Sequence, residues 1–414
     1  MGTLLFHPST APFVQQVGRA FYERGSLAGF ATTLVDRPAA PWRKLLARIR
    51  PLAGQLQRRS VTEFPLDLVV NSPWGELARL AAGRVDKSGI LTDRVWEWSE
   101  TGFDRWVAEN LLSSEVSAVY GYEHAALATF EAAKARGLRC IYDVQAPEHE
   151  FVQSLLQAEQ AHYPEVITPY HVYIQQHQAR RTARRRQEWQ LADVVVANSE
   201  FTKSTYAQAG LDTSRVVVVP YGAPPVHPEG VEGGGLDPAP LRVLWAGSFS
   251  LRKGAHYLLD AWRDWAPGER ASLRVFGALS LPEKLLAGRP ANIALSGTIP
   301  RATLYQEYQQ ADILVFPTLC DGFGMVVTEA FSRGLPVITT PQAGAADLVK
   351  PYVNGLIVPA GDSTALAEAL EWCATHRQAL RTMRQAALET AASWQWSDYR
   401  RALTDSLAST GSLP

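Results

Sequence analysis

The chain has 414 residues, of which 46% are hydrophobic and 20% are charged, and this is typical of a globular protein with a large core. Its 40 basic and 41 acidic residues give a formal net charge of −1, which argues against a strongly basic nucleic-acid-binding protein. The three cysteines, Cys140, Cys320 and Cys373, form no CxxC pair, so they indicate neither a zinc site nor a disulfide framework.

The sequence also bears on location. Residues Met1–His7 lack the charged and long apolar segments of a secretory signal. No apolar run approaches the roughly 20 residues needed to cross a bilayer. Unpaired cysteines fit a reducing compartment, so we expect a cytoplasmic protein.

The first half alternates short β-rich apolar runs with helical patterns. Strands are predicted at Gly2–His7, Leu66–Val70, Val116–Tyr122, Arg139–Val144, Val194–Asn198 and Val216–Pro220. Helices are predicted at Pro12–Arg24 and at His124–Arg136, where Gly137 is the stop signal. Such alternation predicts a parallel sheet covered on both faces.

The Pro- and Gly-rich stretch Tyr221–Pro240 can form no periodic element, and it predicts a linker at 226–240. The alternation then restarts. Strands are predicted at Leu241–Ala246, Ser272–Phe276, Asn292–Leu295, Ile313–Pro317, Val337–Thr340 and Leu356–Val358. Helices are predicted at Ala255–Trp262, Arg301–Gln310, Val326–Arg333, Ser363–His376 and, last, Ser397–Leu407. We therefore expect two doubly wound α/β domains whose strand carboxyl ends surround a shared cleft.

A glycine-flanked turn, Asp321–Gly324, follows the strand that ends at Pro317. Glycines let a backbone approach a ligand closely, and unpaired N–H groups from about Phe323 to Val326 would bind a phosphate or a sugar oxygen. Glu329 follows Met325 by four residues, so both can face the cleft. Its carboxylate can accept hydrogen bonds from two vicinal hydroxyls, and Asp321 could do the same for a sugar ring. The alternative is a capping Asp and a solvated helix Glu.

A second candidate segment, Trp245–Gly254, joins a strand to a helix. Two adjacent cations there, Arg252 and Lys253, suit a diphosphate, because Lys supplies a point charge and Arg can bind phosphate oxygens bidentately. The alternative is an exposed pair of cations.

These segments resemble the motifs of retaining GT-B glycosyltransferases of the GT4 family, the glycosyl transferases group 1. Asp321 and Glu329 stand at the two acidic positions of the E-x7-E signature, with Asp in place of the first Glu. Gly247, Lys253 and Gly254 match the family pattern G-R-L-x-x-x-K-G. Ser248 replaces its Arg, and Arg252 could supply the missing charge. Further similar stretches are Ala192–Tyr206, Val216–Ala223, Gly297–Pro300 and Asn354–Asp362.

The resemblance implies a GT-B fold with two Rossmann-like domains. Residues 1–225 would bind a hydroxyl acceptor, residues 241–394 would bind a nucleotide sugar, and the last helix, within 395–414, would cross back to the first domain. Lys253, Arg252 and Asp321 would act in catalysis, and the donor would contact Gly247, Ser248, Ile299, Gly322, Phe323, Gly324, Met325, Val326 and Glu329. The chain contains no D-x-D motif, so no metal ion and no other cofactor is expected.

The first half gives weaker signals for an acceptor. Ser9 and Thr10 lie in the turn after the first strand, before a helix start that can present N–H groups. Many relatives place a His after the fourth strand; here that region reads Tyr142–Gln145 and the nearest His is His149. Asp143 and His149 are therefore further acceptor candidates, whereas His124 is expected to be structural.

Two basic segments, Trp42–Arg59 and Arg180–Arg186, allow a peripheral contact with the inner face of a membrane. Solvated helix faces are the alternative. For the whole protein, the alternatives to a transferase are a catalytically silent GT-B subunit that binds sugar, or another GT-B activity such as a nucleotide-sugar epimerase.

Overall fold

Two parallel β-sheets organise the part of the chain that the computed structural model describes, residues 2–37, 59–227 and 240–413. The strands of the first sheet are β1 (Gly2–Phe6), β2 (Leu27–Thr32), β3 (Val69–Asn71), β4 (Val116–Tyr122), β5 (Arg139–Val144), β6 (Val194–Ala197) and β7 (Val216–Val218). The strands of the second sheet are β8 (Leu241–Ala246), β9 (Ala271–Phe276), β10 (Ile293–Gly297), β11 (Ile313–Phe316), β12 (Val337–Thr339) and β13 (Gly355–Ile357).

Both sheets are doubly wound. The strand order is β3-β2-β1-β4-β5-β6-β7 in the first and β10-β9-β8-β11-β12-β13 in the second, and all neighbours run parallel. The winding direction therefore reverses between β1 and β4 and between β8 and β11. Ligands of such sheets bind outside the strand carboxyl ends at this switch point.

Helices cover both sheets. Those of the first half are α1 (Pro12–Glu23), α2 (Trp74–Val85), α3 (Ile90–Asn110), α4 (Leu127–Ala135), α5 (His149–His162), α6 (Pro169–Leu191) and α7 (Glu200–Gln208). Those of the second half are α8 (Ala255–Trp265), α9 (Glu283–Leu286), α10 (Arg301–Gln310), α11 (Met325–Phe331), α12 (Ser363–Thr375), α13 (Arg377–Ser393) and α14 (Trp396–Ser409). Within the described ranges, none of these helices combines the length and apolar character of a membrane span.

The packing follows from the sequence pattern. Strands β6 and β11 are buried at every position, as expected of parallel strands that have helices on both faces. Helix α1 begins with Pro12. Proline lacks a backbone N–H, but the first N–H groups of a helix have no partner within it, so no hydrogen bond is lost at this position. The helix then buries Val14, Val17 and Phe21 at helical spacing against the sheet.

Two predicted elements of the first half differ in the structure. The strand predicted at Leu66–Val70 is a short helical turn, Leu66–Leu68, followed by β3. The helix predicted from His124 begins only at Leu127, because His124 has a φ of 72°, outside the helical region.

The patterns above also do not predict β2, the first-half helices α2, α3, α5, α6 and α7, or the second-half helices α9 and α13. Strand β2 has a weak strand composition, LAGFAT, and forms because it pairs with both β1 and β3. Helix α6 is mostly polar, but its Arg181 is buried in ion pairs with Asp93 and Glu97 of α3. Long-range pairing, which a local pattern does not contain, stabilises these elements.

Contacts at several places join the halves of the described chain, and two of them involve helices on both sides. Helix α14 packs against α1, where Arg400 donates to Gln16 Oε1 at 2.7 Å and pairs with Glu23 at 2.8 Å. The far end of α5 reaches α8, where Glu159 lies 2.8 Å from His256 Nε2. The predicted linker, 226–240, lies mostly outside the described residues, and the domain boundaries stay a prediction.

Candidate functional site

Two turns lie side by side outside the switch point of the second sheet. The lysine turn (Gly247–Gly254) follows β8, and the glycine turn (Asp321–Gly324) follows β11. Gly254 has a φ of 74°, and a Cβ there would stand 2.0 Å from the carbonyl oxygen of Pro317. Only glycine therefore allows the lysine turn to pack this closely on the chain just after β11.

The two cations of the lysine turn have different contacts. Arg252 Nη1 donates to the carbonyl oxygen of Cys320 at 3.0 Å, so its guanidinium fastens the lysine turn to the chain before the glycine turn. Lys253 pairs with the carboxylate of Asp321, and its Nζ lies 5.1 Å from the centre of the Phe316 ring. The structure thus brings all three predicted catalytic residues together.

Burial, with a contribution from the charge of Arg252, lowers the pKa of Lys253. The Lys253 and Asp321 side chains are only 13% and 20% exposed. An anion bound between the turns would favour the charged ammonium, because an opposite charge nearby stabilises the charged form. Lys253 and Asp321 therefore form a contact that is largely shielded from solvent.

The glycine turn packs against the first half of the molecule. The carbonyl oxygen of Gly322 accepts hydrogen bonds from Ser199 Oγ at 2.6 Å and from Thr202 Oγ1 at 3.1 Å. A Cβ on Gly322 would stand 2.0 Å from the carbonyl oxygen of Gln145. The turn is therefore positioned by both halves, and Gln145 is a site residue that the sequence patterns do not single out.

The start of helix α11 has the predicted form. The helix begins at Met325, and Gly324 before it has a φ of 84°. Phe323 is buried and its ring contacts Tyr221 at 5.3 Å between centroids, whereas Met325 and Val326 are half-buried. The first N–H groups of a helix have no partner within it, so they remain available to a ligand.

Glu329 is not the solvated helix residue of the alternative interpretation. It is 8% exposed, and it accepts hydrogen bonds from Arg301 Nη2 at 2.7 Å and from the Tyr308 hydroxyl at 3.3 Å. Burial raises its pKa, and the charge of Arg301 opposes this shift. Arg301, which also lies over Tyr305, is therefore a site residue that the motifs do not name. The sequence feature that could have identified Arg301 is its position directly after the Gly297–Pro300 motif.

The remaining predicted donor residues lie at the rim of this site. Gly247 has a φ of 109° and donates its N–H to the carbonyl oxygen of Phe276 at 2.9 Å. Ser248 is exposed, with its Oγ 3.1 Å from Ser280 Oγ. Ile299 is half-buried and packs against the core.

Ser9 and Thr10 border a cavity of about 610 Å³ at the carboxyl ends of β1 and β2, which we call the N-terminal cavity. Ser9 is exposed and donates its N–H to His7 Nδ1 at 2.8 Å. Thr10 is buried, and its carbonyl oxygen accepts from Gln15. The cavity also borders Arg79 and Glu100 of the unpredicted helices α2 and α3, which no local motif identifies.

Asp143 and His149 do not join this group. The prediction for Asp143 is wrong in its geometry, because the side chain is 1% exposed, points into the core and accepts from the Tyr120 hydroxyl at 2.6 Å. Burial raises the pKa of Asp143 to about 7. His149 begins α5 and lines a different groove, of about 340 Å³, between α5 and α6.

The basic segment Arg180–Arg186 is part of α6, and most of its cations are engaged within the protein. Arg181 is buried, Arg184 bonds to Asp104 and Arg185 pairs with Glu123 at 2.6 Å. This supports the structural reading of the segment. The other basic segment, Trp42–Arg59, lies outside the described residues except for Arg59, so membrane contact stays a prediction.

No group of three or more His, Cys, Asp or Glu side chains that could hold a metal ion occurs in the ranges that the structure describes. The expectation of a metal-free site is not tested by this observation and stays a prediction.

Comparison with known proteins finds a matching family model in the second half of the chain. Residues 240–376 match the family model described as glycosyl transferases group 1. The chain is 27% identical over 236 residues to a D-inositol 3-phosphate glycosyltransferase from Nocardia farcinica, covering 52% of each. It is 33% identical over 136 residues to the capsular polysaccharide biosynthesis glycosyltransferase CapM from Staphylococcus aureus, covering 31% of this chain and 35% of CapM. The chain thus spans about half or less of the length of these curated relatives.

Solved structures match nearly the whole chain. The Anabaena protein HepE in complex with UDP and glucose aligns with a TM-score of 0.62 at 18% identity, over 99% of this chain and 100% of that one. Sucrose-phosphate synthase from Thermosynechococcus elongatus aligns with a TM-score of 0.63 at 17% identity, over 98% of both chains. The predicted GT-B fold, with two Rossmann-like parallel-sheet domains, is therefore confirmed.

Proposed function

We propose that this protein is a glycosyltransferase that moves a sugar from a nucleoside-diphosphate sugar to a hydroxyl group of an acceptor. The observation that carries the proposal is the packing of the lysine turn against the glycine turn at the switch point of the second sheet. Both turns lie within residues 240–376, the range that matches the glycosyl transferases group 1. The hydrogen bond from Ser199 to Gly322 brings this site against the first half, the half that would bind the acceptor.

The residues would divide the work as follows. Lys253 and the N–H groups at the start of α11 would stabilise the negative charge that grows on the leaving diphosphate. Arg252 would hold the lysine turn in place through Cys320 and add to the positive potential. Asp321 would orient the sugar, and Glu329, held by Arg301, would accept from the ribose hydroxyls.

We propose that transfer retains the configuration of the anomeric carbon, as the E-x7-E resemblance implies. The bond from that carbon to the diphosphate oxygen breaks while the acceptor oxygen bonds on the same face. The acceptor proton passes to the leaving phosphate oxygen, so no protein nucleophile is required. We further propose that cations and helix N–H groups take the place of a metal ion, so that activity should survive an excess of EDTA.

The first experiment is to incubate the purified protein with UDP-, GDP- and ADP-sugars and to measure release of the nucleoside diphosphate. UDP-glucose is the natural first donor, because the HepE structure was solved with UDP and glucose. A slow hydrolysis that needs Lys253 would support a transferase. Tight nucleotide binding without any turnover would instead support the silent subunit. That alternative is favoured by Ser248, which replaces the family Arg, and by the engagement of Arg252 with a backbone carbonyl.

A second experiment tests the ribose role by calorimetry with the nucleotide that binds. Glu329→Ala should weaken nucleotide binding by about 1.5–3 kcal/mol, because it removes charge-assisted hydrogen bonds. The matched control is Glu283→Ala on α9, where the side chain is exposed. An equal Kd for Glu329→Ala and the wild type would exclude the ribose assignment.

A further inference from the structure

Helix α5 and the short helical turn after it, Pro164–Val166, extend from the first half onto the second, and we call residues 149–166 the arm. Val166 is 6% exposed and belongs to a buried apolar cluster whose other buried members, in the part of the chain that the structure describes, all lie in the second half. Leu156 and Tyr163 are half-buried and pack against the same cluster. The arm therefore places apolar side chains of the first half in the core of the second.

Polar contacts also hold the arm on helix α8. The carboxylate of Glu159 lies 2.8 Å from Nε2 of His256 and accepts a hydrogen bond from the Tyr257 hydroxyl at 3.1 Å. One turn further along, the Tyr163 hydroxyl donates to Asp260 at 3.3 Å, and the Tyr163 ring packs edge-on against the buried His256 with 4.8 Å between centroids. Helix α8 is thus bonded to the arm at two successive turns.

The charge of Glu159 strengthens this contact. Burial alone would raise the pKa of Glu159, but the hydrogen bonds from His256 and Tyr257 hold it below its usual range. The carboxylate is therefore ionised at neutral pH. Hydrogen bonds to an ionised acceptor are stronger than those between neutral groups, so loss of Glu159 should free the start of α8.

Helix α8 is the direct continuation of the lysine turn. It begins where the turn ends, and His256 follows Lys253 by three residues. Helix α5 also lies against Leu251–Lys253, the part of the lysine turn that carries both cations. Leu251 is buried in the same cluster as Val166. The first half therefore holds the lysine turn through the arm, in addition to the contacts of this turn with the chain after β11.

The other end of the arm is fixed beside the glycine turn. Glu148, which directly precedes α5, caps this helix with its side chain, and its N–H donates to Thr205 Oγ1 at 2.9 Å. Thr205 lies on α7, the helix whose Thr202 donates to the carbonyl oxygen of Gly322. One helix therefore connects the support of the glycine turn with that of the lysine turn. The halves cannot separate at the lysine turn unless the arm leaves α8.

We propose that the arm is the element through which the first half positions the lysine turn, and that Glu159 and His256 are positioning residues that keep Lys253 where the donor diphosphate binds. The role of Lys253 rests on the proposed function, whereas the hold of the arm on the lysine turn does not. A nucleoside diphosphate that binds more tightly when the arm is docked must also stabilise the docked arm, because coupling between two sites is reciprocal. Donor binding in the second half and docking of the arm are therefore coupled.

The first test is hydrogen–deuterium exchange of the full chain, without nucleotide and with UDP, GDP or ADP. Without nucleotide, Glu159→Ala should speed exchange of residues 247–254 at least threefold, and Gln157→Ala, an exposed position on the same helix, should not. In the wild type, the nucleotide that protects residues 247–254 should also slow exchange of residues 156–166. Protection of the lysine turn alone, or equal exchange of this turn in the two variants, would overturn the proposal.

The second test separates positioning from a purely structural role, and it uses calorimetry. Glu159→Ala should weaken binding of the nucleoside diphosphate at least fivefold and binding of the plain nucleoside less than twofold, because the arm acts on the phosphate end of the site. His256→Ala should have the same effect. His256→Gln, whose amide can take the place of Nε2, should restore most of the affinity.

Equal losses of affinity for the diphosphate and the nucleoside, or no rescue by His256→Gln, would overturn the positioning role. If the wild type binds none of the three nucleotides, the proposed function is contradicted. The exchange of residues 247–254 in Glu159→Ala without nucleotide would then still decide whether the arm holds the lysine turn.

Discussion

The two halves of the molecule form their candidate sites by different means. In the second half, the site consists of short turns that approach each other through backbone atoms, as where Gly254 meets Pro317 and Gly277 meets Gly247. In the first half, the N-terminal cavity is bordered by helices α2 and α3, whose charged side chains pair with residues distant in sequence, as Glu76 does with Arg59. A backbone contact tolerates almost no added volume, whereas a network of long side chains can adjust to a different ligand. We therefore expect the donor side to be sensitive to shape and the acceptor side to be sensitive to charge and hydrogen bonding.

Two buried carboxyl groups also differ between the halves in the partners that they have. Glu329 in the second half is paired with Arg301 at 2.7 Å. Asp143 in the first half accepts from the neutral Tyr120 hydroxyl at 2.6 Å, and its pKa is raised to about 7. The first carboxylate is stabilised by a cation, whereas the second is expected to carry a proton below about pH 7.

The largest effect is expected from Lys253→Ala. If the second half carries the donor chemistry, removal of this cation should lower turnover about 10²–10³-fold, the usual cost of losing a group that stabilises charge in the transition state. Steady-state kinetics with the active nucleotide sugar measures this, and Lys350→Ala, an exposed residue of the same half, is the control. Equal losses of affinity for the nucleoside diphosphate and for the plain nucleoside would show that Lys253 does not contact the phosphates.

Asp143→Asn should change how stability depends on pH. Because the folded pKa of about 7 lies above the unfolded value of about 3.9, the folded wild type holds an extra proton between these limits. The free energy of unfolding of the wild type should therefore fall as pH rises through that window, and the variant should lack this loss. Relative to the wild type, the variant should gain about 2–3 kcal/mol between pH 5 and pH 8 in urea unfolding. Parallel pH profiles for the two proteins would mean that Asp143 is already ionised at pH 5.

Gly322→Ala tests the packing of the proposed donor site against the first half. The added Cβ would stand 2.0 Å from the Gln145 carbonyl oxygen, so the halves must separate or the turn must shift. Overpacking of this kind costs about 1–3 kcal/mol. The rate of sugar transfer should fall by the factor that corresponds to this free energy. Gly102→Ala is the control, because nothing lies within 4 Å of a Cβ at that position. Wild-type kinetics for Gly322→Ala would show that transfer does not depend on this contact.

The smallest effect is expected where α14 meets α1. Glu23→Gln removes the charged partner of both Arg400 and Arg19, but the Glu23 side chain is 44% exposed, and each surface pair contributes only about 0.2–1 kcal/mol. Urea unfolding at low and high salt measures the change, which should shrink as salt screens the pair. A loss well above this range would mean that charge, and not the buried Tyr399 and Leu403, holds α14 in place.

What the sequence could predict depends on how local each feature is. Strands β4, β5 and β8 and helix α10 have the predicted bounds, and the glycine turn has the predicted place, because each depends on residues within one short segment. The N-terminal cavity could not be predicted in the same way. Arg79 and Glu100 lie on helices that local patterns do not reveal, and they meet His7 only in the folded chain.

The unpredicted surroundings of Asp143 and Glu329 have a related cause. The sequence correctly places both at the strand ends or helix starts that border the cleft, but it does not show which way a side chain points. Asp143 turns inward because a tyrosine hydroxyl is available below it, and Glu329 is held by an arginine that lies 28 residues earlier in the chain.

The seat of Gly322 has a consequence for attempts to recombine enzymes of this architecture. A chimaera that joins residues 240–413 to the first half of a different protein would bring a foreign surface beneath the glycine turn. The hydroxyls of Ser199 and Thr202 would then have to be supplied by the new half, together with a backbone that leaves room at Gln145. Exchange of donor specificity by domain swapping is therefore expected to succeed only when these three residues are transplanted along with the second half.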